Sequence, residues 1–288
     1  MVCNSRVGAP RSEFPSNSAV ASRENEEYIN LAILPSTEAD VPSELLLEIT
    51  VETVDSALAA EHAGADRIEL CGELNQGGIT PAMASMRKVH EDLEIPVFPI
   101  IRPRKGDFVY TDAEFAAMRR DIIFARDLGM EGLVLGILRP DNSVDVERTR
   151  ELVELAHPLE VTFHRAFDYA NDLPCSLEDV IATGVTRLLT AGGARSAPEG
   201  CETLRKLVEL AGPRIIVLPG AGLHAGNIAK LAEETRAREF HSGLGGILPY
   251  GSSNLTRFES EVHAMKRALR SLNASAPAPA RANSSTAP

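Results

Sequence analysis

One unit recurs through the middle of this sequence and limits its fold more than any other feature. It is a short β-branched or aliphatic run, a polar turn, and then a stretch with helical spacing. The runs are Leu45–Val51, Arg67–Leu70, Val97–Ile101, Leu133–Ile137, Glu160–His164, Arg187–Thr190, Arg214–Leu218 and Glu239–His241. Between them apolar residues recur at helical intervals: Val54, Leu58 and Ala59 precede Gly64, and Phe115, Met118, Ile122 and Ala125 precede Gly129. Strands alternating with helices demand right-handed crossovers and a parallel sheet. Eight such units, one every 28 residues or so, predict an α/β chain closed into a (β/α)8 TIM barrel, a single domain over residues 44–272. The competitor, an open doubly wound sheet, carries a glycine loop after its first strand, where this chain has Glu52-Thr53-Val54.

Local chemistry agrees with this division. Thr111 with Glu114 and Ser176 with Asp179 have the form of capping boxes, and Thr80-Pro81 reads as a cap and the first residue of a helix. Residues 1–43, rich in Ser, Asn, Glu and Pro, and the Ala/Pro/Ser segment 273–288 lack any sustained period and are expected to be disordered tails. A net charge of −12 argues against a nucleic-acid or anionic-membrane partner, since both need a basic footprint. No apolar run approaches the length of a membrane span. Cys3, Cys71, Cys175 and Cys201 are scattered with no CxxC pair, so they form neither a disulfide framework nor a closed zinc site. The expected location is the cytoplasm.

In a barrel of this kind chemistry gathers where strands end. Strand 1 ends with Glu48 and Thr50, strand 2 with Glu69 and Cys71, and strand 3 runs into Arg102 and Arg104. Strand 5 runs into His164, Arg165 and Asp168, and strand 8 ends with His241 and Ser242. A period of two puts Glu48 with Thr50, and Glu69 with Cys71, on one face of adjacent strands. Two carboxylates in one layer suit general acid/base work or a metal, or else form an ion-pair plug. Glycine clusters that include Gly220 and Gly222 either cradle an anion through backbone N–H groups or simply permit tight turns.

Taken together, several motifs resemble the CutC family of copper homeostasis proteins. They are Ala65–Cys71, Gly77–Pro81, Pro99–Arg104 with Gly106-Asp107-Phe108, Thr162–Asp168, Pro219–Gly222 and Glu239–Ser242, spread over residues 45–246. The resemblance implies a cytosolic TIM barrel, often a homo-oligomer, associated with copper tolerance and proposed to bind Cu(I). It also implies copper ligands at cysteines near the ends of strands 1 and 2. Cys71 keeps the second, but Thr50 stands at the first, and a hydroxyl is a poor ligand for soft Cu(I). His164 or His241 is then needed to complete a site.

The residues also support a second reading. Glu48, Glu69, Arg102, His164 and Asp168 suit proton transfer on a small anionic or sugar-like molecule, as in a lyase, isomerase or hydrolase. A glutamate or His164 serves as base, Arg102 or Arg104 anchors the anion, and Asp168 orients His164. Arg165, His241, Ser242, Gly220 and Gly222 are further candidates to line the ligand. A third reading, a scaffold with an inert barrel, calls for a quieter mouth than this one.

Overall fold

The computed structural model describes residues 44–245 and 254–275, with side chains to 272. The expected tails and their disorder lie outside the described residues, apart from the end of the last helix. Strands β1 (Leu46–Val51), β2 (Arg67–Leu70), β3 (Val97–Pro99), β4 (Gly132–Leu135), β5 (Glu160–Phe163), β6 (Arg187–Thr190), β7 (Ile216–Pro219) and β8 (Glu239–Ser242) alternate with helices. The helices are α1 (Val54–His62), α2 (Met83–Asp92), α3 (Asp112–Leu128), α4 (Val146–Ala156), α5 (Leu173–Ala182), α6 (Cys201–Ala211), α7 (Ile228–Thr235) and α8 (Leu255–Ser275).

Two four-stranded parallel ladders, β3-β2-β1-β8 and β4-β5-β6-β7, form the wall. A parallel bridge between Ile100 and Val134 joins β3 to β4. On the other side β7 lies beside β8, and no ladder is paired there among the described residues. Each helix packs on the next, and α8 returns to α1, so a closed ring of helices surrounds the strands and the expected TIM barrel is what forms.

Strand burial follows from this enclosure. Residues facing the helices, such as Leu47, Ile49, Ile68, Leu133, Phe163, Leu188 and Phe240, are fully buried. The alternate set points into the lumen and is polar or charged on five of the strands: Glu48, Thr50, Arg67, Glu69, Thr162, His164, Arg187, Glu239 and His241.

Side-chain caps set the starts of α1, α3, α4 and α5. Thr111 and Glu114 form the expected capping box, and Gly129 closes α3 in the left-handed region. Two local expectations shift. Asp172 rather than Ser176 caps α5, because Pro174 fits the first turn and lets the helix begin earlier. Thr80 caps no helix; its hydroxyl accepts the N–H of Arg102 at 2.9 Å and ties the loop after β2 to the end of β3.

Candidate active site at the barrel mouth

The floor of the lumen is an ion-pair cluster built on the strand starts. Arg67 pairs with Glu48 and, at 2.6 Å, with Glu239. Arg187 pairs with Glu239 at 2.7 Å and with Glu160 at 2.5 Å. Both guanidinium groups also lie against the Phe98 ring, at 5.0 and 5.5 Å from its centroid. Of the two roles open to Glu48, it therefore takes the plug on one of its oxygens. Arg67, Arg187 and Glu239 were not singled out from sequence, although their inward register at strand starts was the available signal.

The second oxygen of Glu48 faces upward and accepts from His241 Nδ1 at 2.6 Å. His241 Nε2 lies 2.8 Å from the Thr50 hydroxyl, which in turn lies 2.7 Å from Glu69 Oε2. This makes a continuous chain Glu48–His241–Thr50–Glu69 climbing into the mouth. Burial pushes the Glu48 carboxyl up, but Arg67 and then His241 outweigh it and hold it down at about 2. Burial lowers His241, yet Glu69 and Glu48 outweigh that and raise it above its ordinary value. Glu69 is also raised, first by burial and then by the nearby Glu48 charge, against the pull of His241.

The bonding along the chain can be written two ways. With the proton on His241, Nε2–H donates to Thr50 and Thr50 donates to Glu69. With it on Glu69, the carboxyl donates to Thr50 and Thr50 donates to His241 Nε2. One proton therefore has two seats with a hydroxyl between them.

Above the chain opens a cavity of about 320 Å³. Its polar lining includes Thr50, Glu69, Arg102, His164, Arg165 and His241, and Cys71, Phe108, Leu189 and Gly222 also contribute. His164 accepts the Ala166 N–H on Nδ1 at 3.2 Å, so its proton sits on Nε2. Burial, followed by the Arg102 charge, pushes this imidazole down to about 3. At neutral pH it is an uncharged N–H donor, which removes it as the expected base. Gly136 makes room for it: a Cβ there would stand 2.4 Å from His164 Nδ1.

Several expected partners are engaged elsewhere. Asp168 does not orient His164. Its carboxylate holds Arg165 at 2.7 Å, Thr190 at 2.5 Å and the N–H groups of Ala191 and Gly193 at 3.0 Å, fastening the loop after β6. Arg102 donates to the carbonyls of Gly78 and Gly106 at 2.9 Å and Gly77 at 3.2 Å, and lies on the Phe108 ring at 4.9 Å. That guanidinium shapes two loops instead of standing free for an anion. Arg104 turns away to Glu114 and Asp107 and does not line the cavity. The Ser242 hydroxyl donates to the Leu223 carbonyl at 2.7 Å, outside the lining. Gly220 lets β7 approach His241, 3.2 Å from where its Cβ would stand, and is likewise outside the lining.

Cys71 does reach the mouth, but its thiol donates to the Val51 carbonyl at 3.6 Å, and burial followed by Glu69 and Glu52 raises its pKa. Cu(I) needs a thiolate and a second soft ligand. Here the thiol donates to a carbonyl, and of the two imidazoles that share the lining, His241 is bonded on both nitrogens, to Glu48 and Thr50, while His164 keeps its proton on Nε2 with Nδ1 taken by the Ala166 N–H; no metal-holding cluster of three donors occurs among the described residues. The donor set does not fit Cu(I). Cys201 is also a free thiol.

The CutC family model matches residues 45–246, the stretch that carries the barrel strands and the mouth. The chain belongs to the CutC family. A CutC family protein from Chromobacterium violaceum is 49% identical over 201 residues, covering 70% of this chain and 81% of the relative. The human copper homeostasis protein cutC homolog is 44% identical over 210 residues, covering 73% and 77%. Among solved structures, the copper homeostasis protein CutC from Streptococcus agalactiae superposes with a TM-score of 0.66 at 34% identity, covering 69% of this chain and 98% of that one. Phosphoribosylanthranilate isomerase from Thermotoga maritima reaches a TM-score of 0.53 at 13% identity, over 79% of this chain and 99% of its own, a likeness of fold alone.

Proposed function

We propose that this CutC-family barrel is an enzyme that binds a small polar or anionic molecule at its mouth and moves a proton on it, with Glu69 as the acid/base group. The observation that carries this reading is the chain behind Glu69: Thr50 at 2.7 Å, His241 2.8 Å further on, then Glu48 at 2.6 Å. A carboxylate whose affinity for a proton is raised, backed by a second seat for that proton, suits general acid/base catalysis near neutral pH. A purely structural plug needs no such arrangement facing a cavity.

The human and mouse relatives are named for copper homeostasis. We extend that role to this chain as its cellular setting, in the cytoplasm and as a homo-oligomer, with the contribution made through chemistry on a small molecule and not through tight Cu(I) binding at Cys71.

Two titrations test the proposal. Calorimetry with small sugars and organic acids in buffers of different ionisation enthalpy should reveal a ligand whose binding takes up or releases a proton. Glu69→Gln should abolish that linkage, and unchanged proton linkage in the variant sinks Glu69 as the titrating group. An anaerobic Cu(I) titration against a competing chelator should show no tight site in either wild type or Cys71→Ser. Stoichiometric binding lost in Cys71→Ser would instead establish the thiol as a copper ligand.

A further inference from the structure

Five buried side-chain atoms lack a hydrogen-bond partner among the described residues: Arg102 Nε, Tyr110 Oη, Thr149 Oγ1, Thr162 Oγ1 and His164 Nε2. Only Arg102 and His164 belong to residues that line the mouth cavity, and both orphan atoms there are N–H donors. The three hydroxyls can turn to find an acceptor, whereas a ring or guanidinium N–H has a fixed direction. A buried donor left unpaired is costly, so two of them on residues that line the cavity call for an acceptor supplied by whatever binds there.

The two donors form one unit. Phe108 lies against both of them, its centroid 5.0 Å from the His164 ring and 4.9 Å from the Arg102 guanidinium carbon. Four of the guanidinium contacts to loop carbonyls fix Arg102 in place, and the Ala166 N–H fixes the tautomer of His164. The donors are therefore preorganised, the property that makes hydrogen bonds effective on developing negative charge. His164 is uncharged, and a neutral imidazole can polarise a carbonyl without surrendering its proton to the solvent. Glu69, the acid/base group proposed above, lines the same cavity.

We propose that the substrate is a small carbonyl compound with an acidic α-hydrogen, such as a ketose, an aldose or a 2-oxo acid. Its carbonyl oxygen accepts from His164 Nε2–H and Arg102 Nε–H, and its α-hydrogen faces Glu69. The step balances without a co-reactant. Glu69 takes the α-hydrogen as a proton, the C–H electron pair becomes the C=C bond of an enolate, and the carbonyl electrons move onto the oxygen held by the two donors. In an α-hydroxy carbonyl compound, returning the proton to the former carbonyl carbon isomerises the substrate, the hydroxyl proton passing to the oxygen held by the two donors as the hydroxyl oxygen becomes the new carbonyl; expelling a β-substituent, which leaves with the proton from Glu69, makes the reaction an elimination. This inference rests on Glu69 being the acid/base group proposed above.

The test reads isotope exchange, which needs no knowledge of the natural substrate. The full-length protein is incubated in D2O with a panel of three- to six-carbon ketoses, aldoses and 2-oxo acids, and proton NMR follows loss of the α-hydrogen signal. Wild type should wash deuterium into at least one compound. Glu69→Gln should abolish the exchange. His164→Asn keeps an acceptor for the Ala166 N–H but withdraws the far N–H, and should slow exchange by about 100-fold, the usual effect of losing one such donor. Exchange that survives Glu69→Gln, or is equal in His164→Asn, overturns the assignment. Compounds that bind with proton linkage yet show no exchange overturn the carbonyl chemistry while leaving Glu69 as a titrating group. An absence of both binding and exchange across the panel overturns both readings. A crystal structure of the protein with the exchanging compound should show its carbonyl oxygen within 3.2 Å or so of His164 Nε2, a normal hydrogen-bond length. A water retained at that position, with the compound bound elsewhere, also overturns the proposal.

Discussion

Lowering the pH should destabilise this barrel, and the share carried by His164 can be isolated. Its imidazole titrates at 6.5 in an ordinary setting and at about 3 in the folded chain, because burial and the Arg102 charge oppose protonation. Between those values the unfolded chain binds one more proton than the folded chain, so stability rises with pH and falls on acidification. Each pH unit crossed in that window changes stability by about 1.4 kcal/mol. Because the unfolded imidazole is already half protonated at its ordinary value, acidification from about pH 6.5 to about pH 4.5 should remove about 2 kcal/mol, and a domain of this size should lose about 4–8 °C in Tm. The comparison is thermal unfolding by circular dichroism, at closely spaced pH values, of wild type and His164→Asn. Asparagine accepts the Ala166 N–H in the same place but does not titrate. The variant should be less stable near neutrality, having lost the ring's contact with Phe108, yet its stability should depend less on pH by one proton. Glu48 contributes acid sensitivity too, because its folded pKa is depressed from 4.5 to about 2 and its stabilisation is lost as pH falls through that interval. That contribution is common to both proteins and cancels in the difference. Parallel pH profiles would refute the idea that His164 is held neutral by its surroundings.

Three further perturbations have defined outcomes. Glu239→Gln leaves Arg67 with Glu48 and Arg187 with Glu160 but removes the charge they share. It should cost about 3 kcal/mol in urea unfolding, the low end for breaking a buried pair, and a change under about 1 kcal/mol would contradict a cooperative floor. Thr50→Val removes the hydroxyl between His241 and Glu69 but leaves the two 3.7 Å apart and coupled by charge, so side-chain 15N NMR should show their titrations still linked while proton exchange between them slows, and Thr50→Ser should keep that exchange fast; equal exchange in both variants would show that the hydroxyl carries no proton. Gly136→Ala places a methyl 2.4 Å from His164 Nδ1. It should cost about 1–3 kcal/mol by overpacking and abolish ligand binding, and a crystal structure with an unmoved His164 would show the space was not limiting.

Much of the barrel was readable because its signal is local and repeated. β2 and β6 begin and end where the sequence placed them, at Arg67–Leu70 and Arg187–Thr190. β3 stops at Pro99, short of the expected Ile101, since apolar residues continue into a loop that is buried for other reasons. At the site, the alternation of Glu48 with Thr50 and Glu69 with Cys71 placed those side chains in the lumen correctly. What was not legible is which groups pair across it. Asp168 lies four residues from His164 in the chain, yet the turn Arg165–Tyr169 carries its carboxylate to the loop after β6. Arg102 reads as a free cation in sequence and becomes a fixed donor only because two loops turn their carbonyls toward it. The Glu48–His241 contact spans 193 positions, and only closure of β8 onto β1 creates it.

The charged floor has a consequence for proton traffic. Glu48 is engaged by Arg67 below and His241 above, and Arg67 and Arg187 lie against the aromatic ring of Phe98 across the lumen. Arginine does not release protons under any ordinary condition, so the lower half of the barrel is a dead end for them. A proton that passes from Glu69 through Thr50 to His241 has no onward route and leaves by the path it entered. The barrel thus works as a blind well for charge: what the mouth takes from one molecule, it holds until it can be handed back through the same opening.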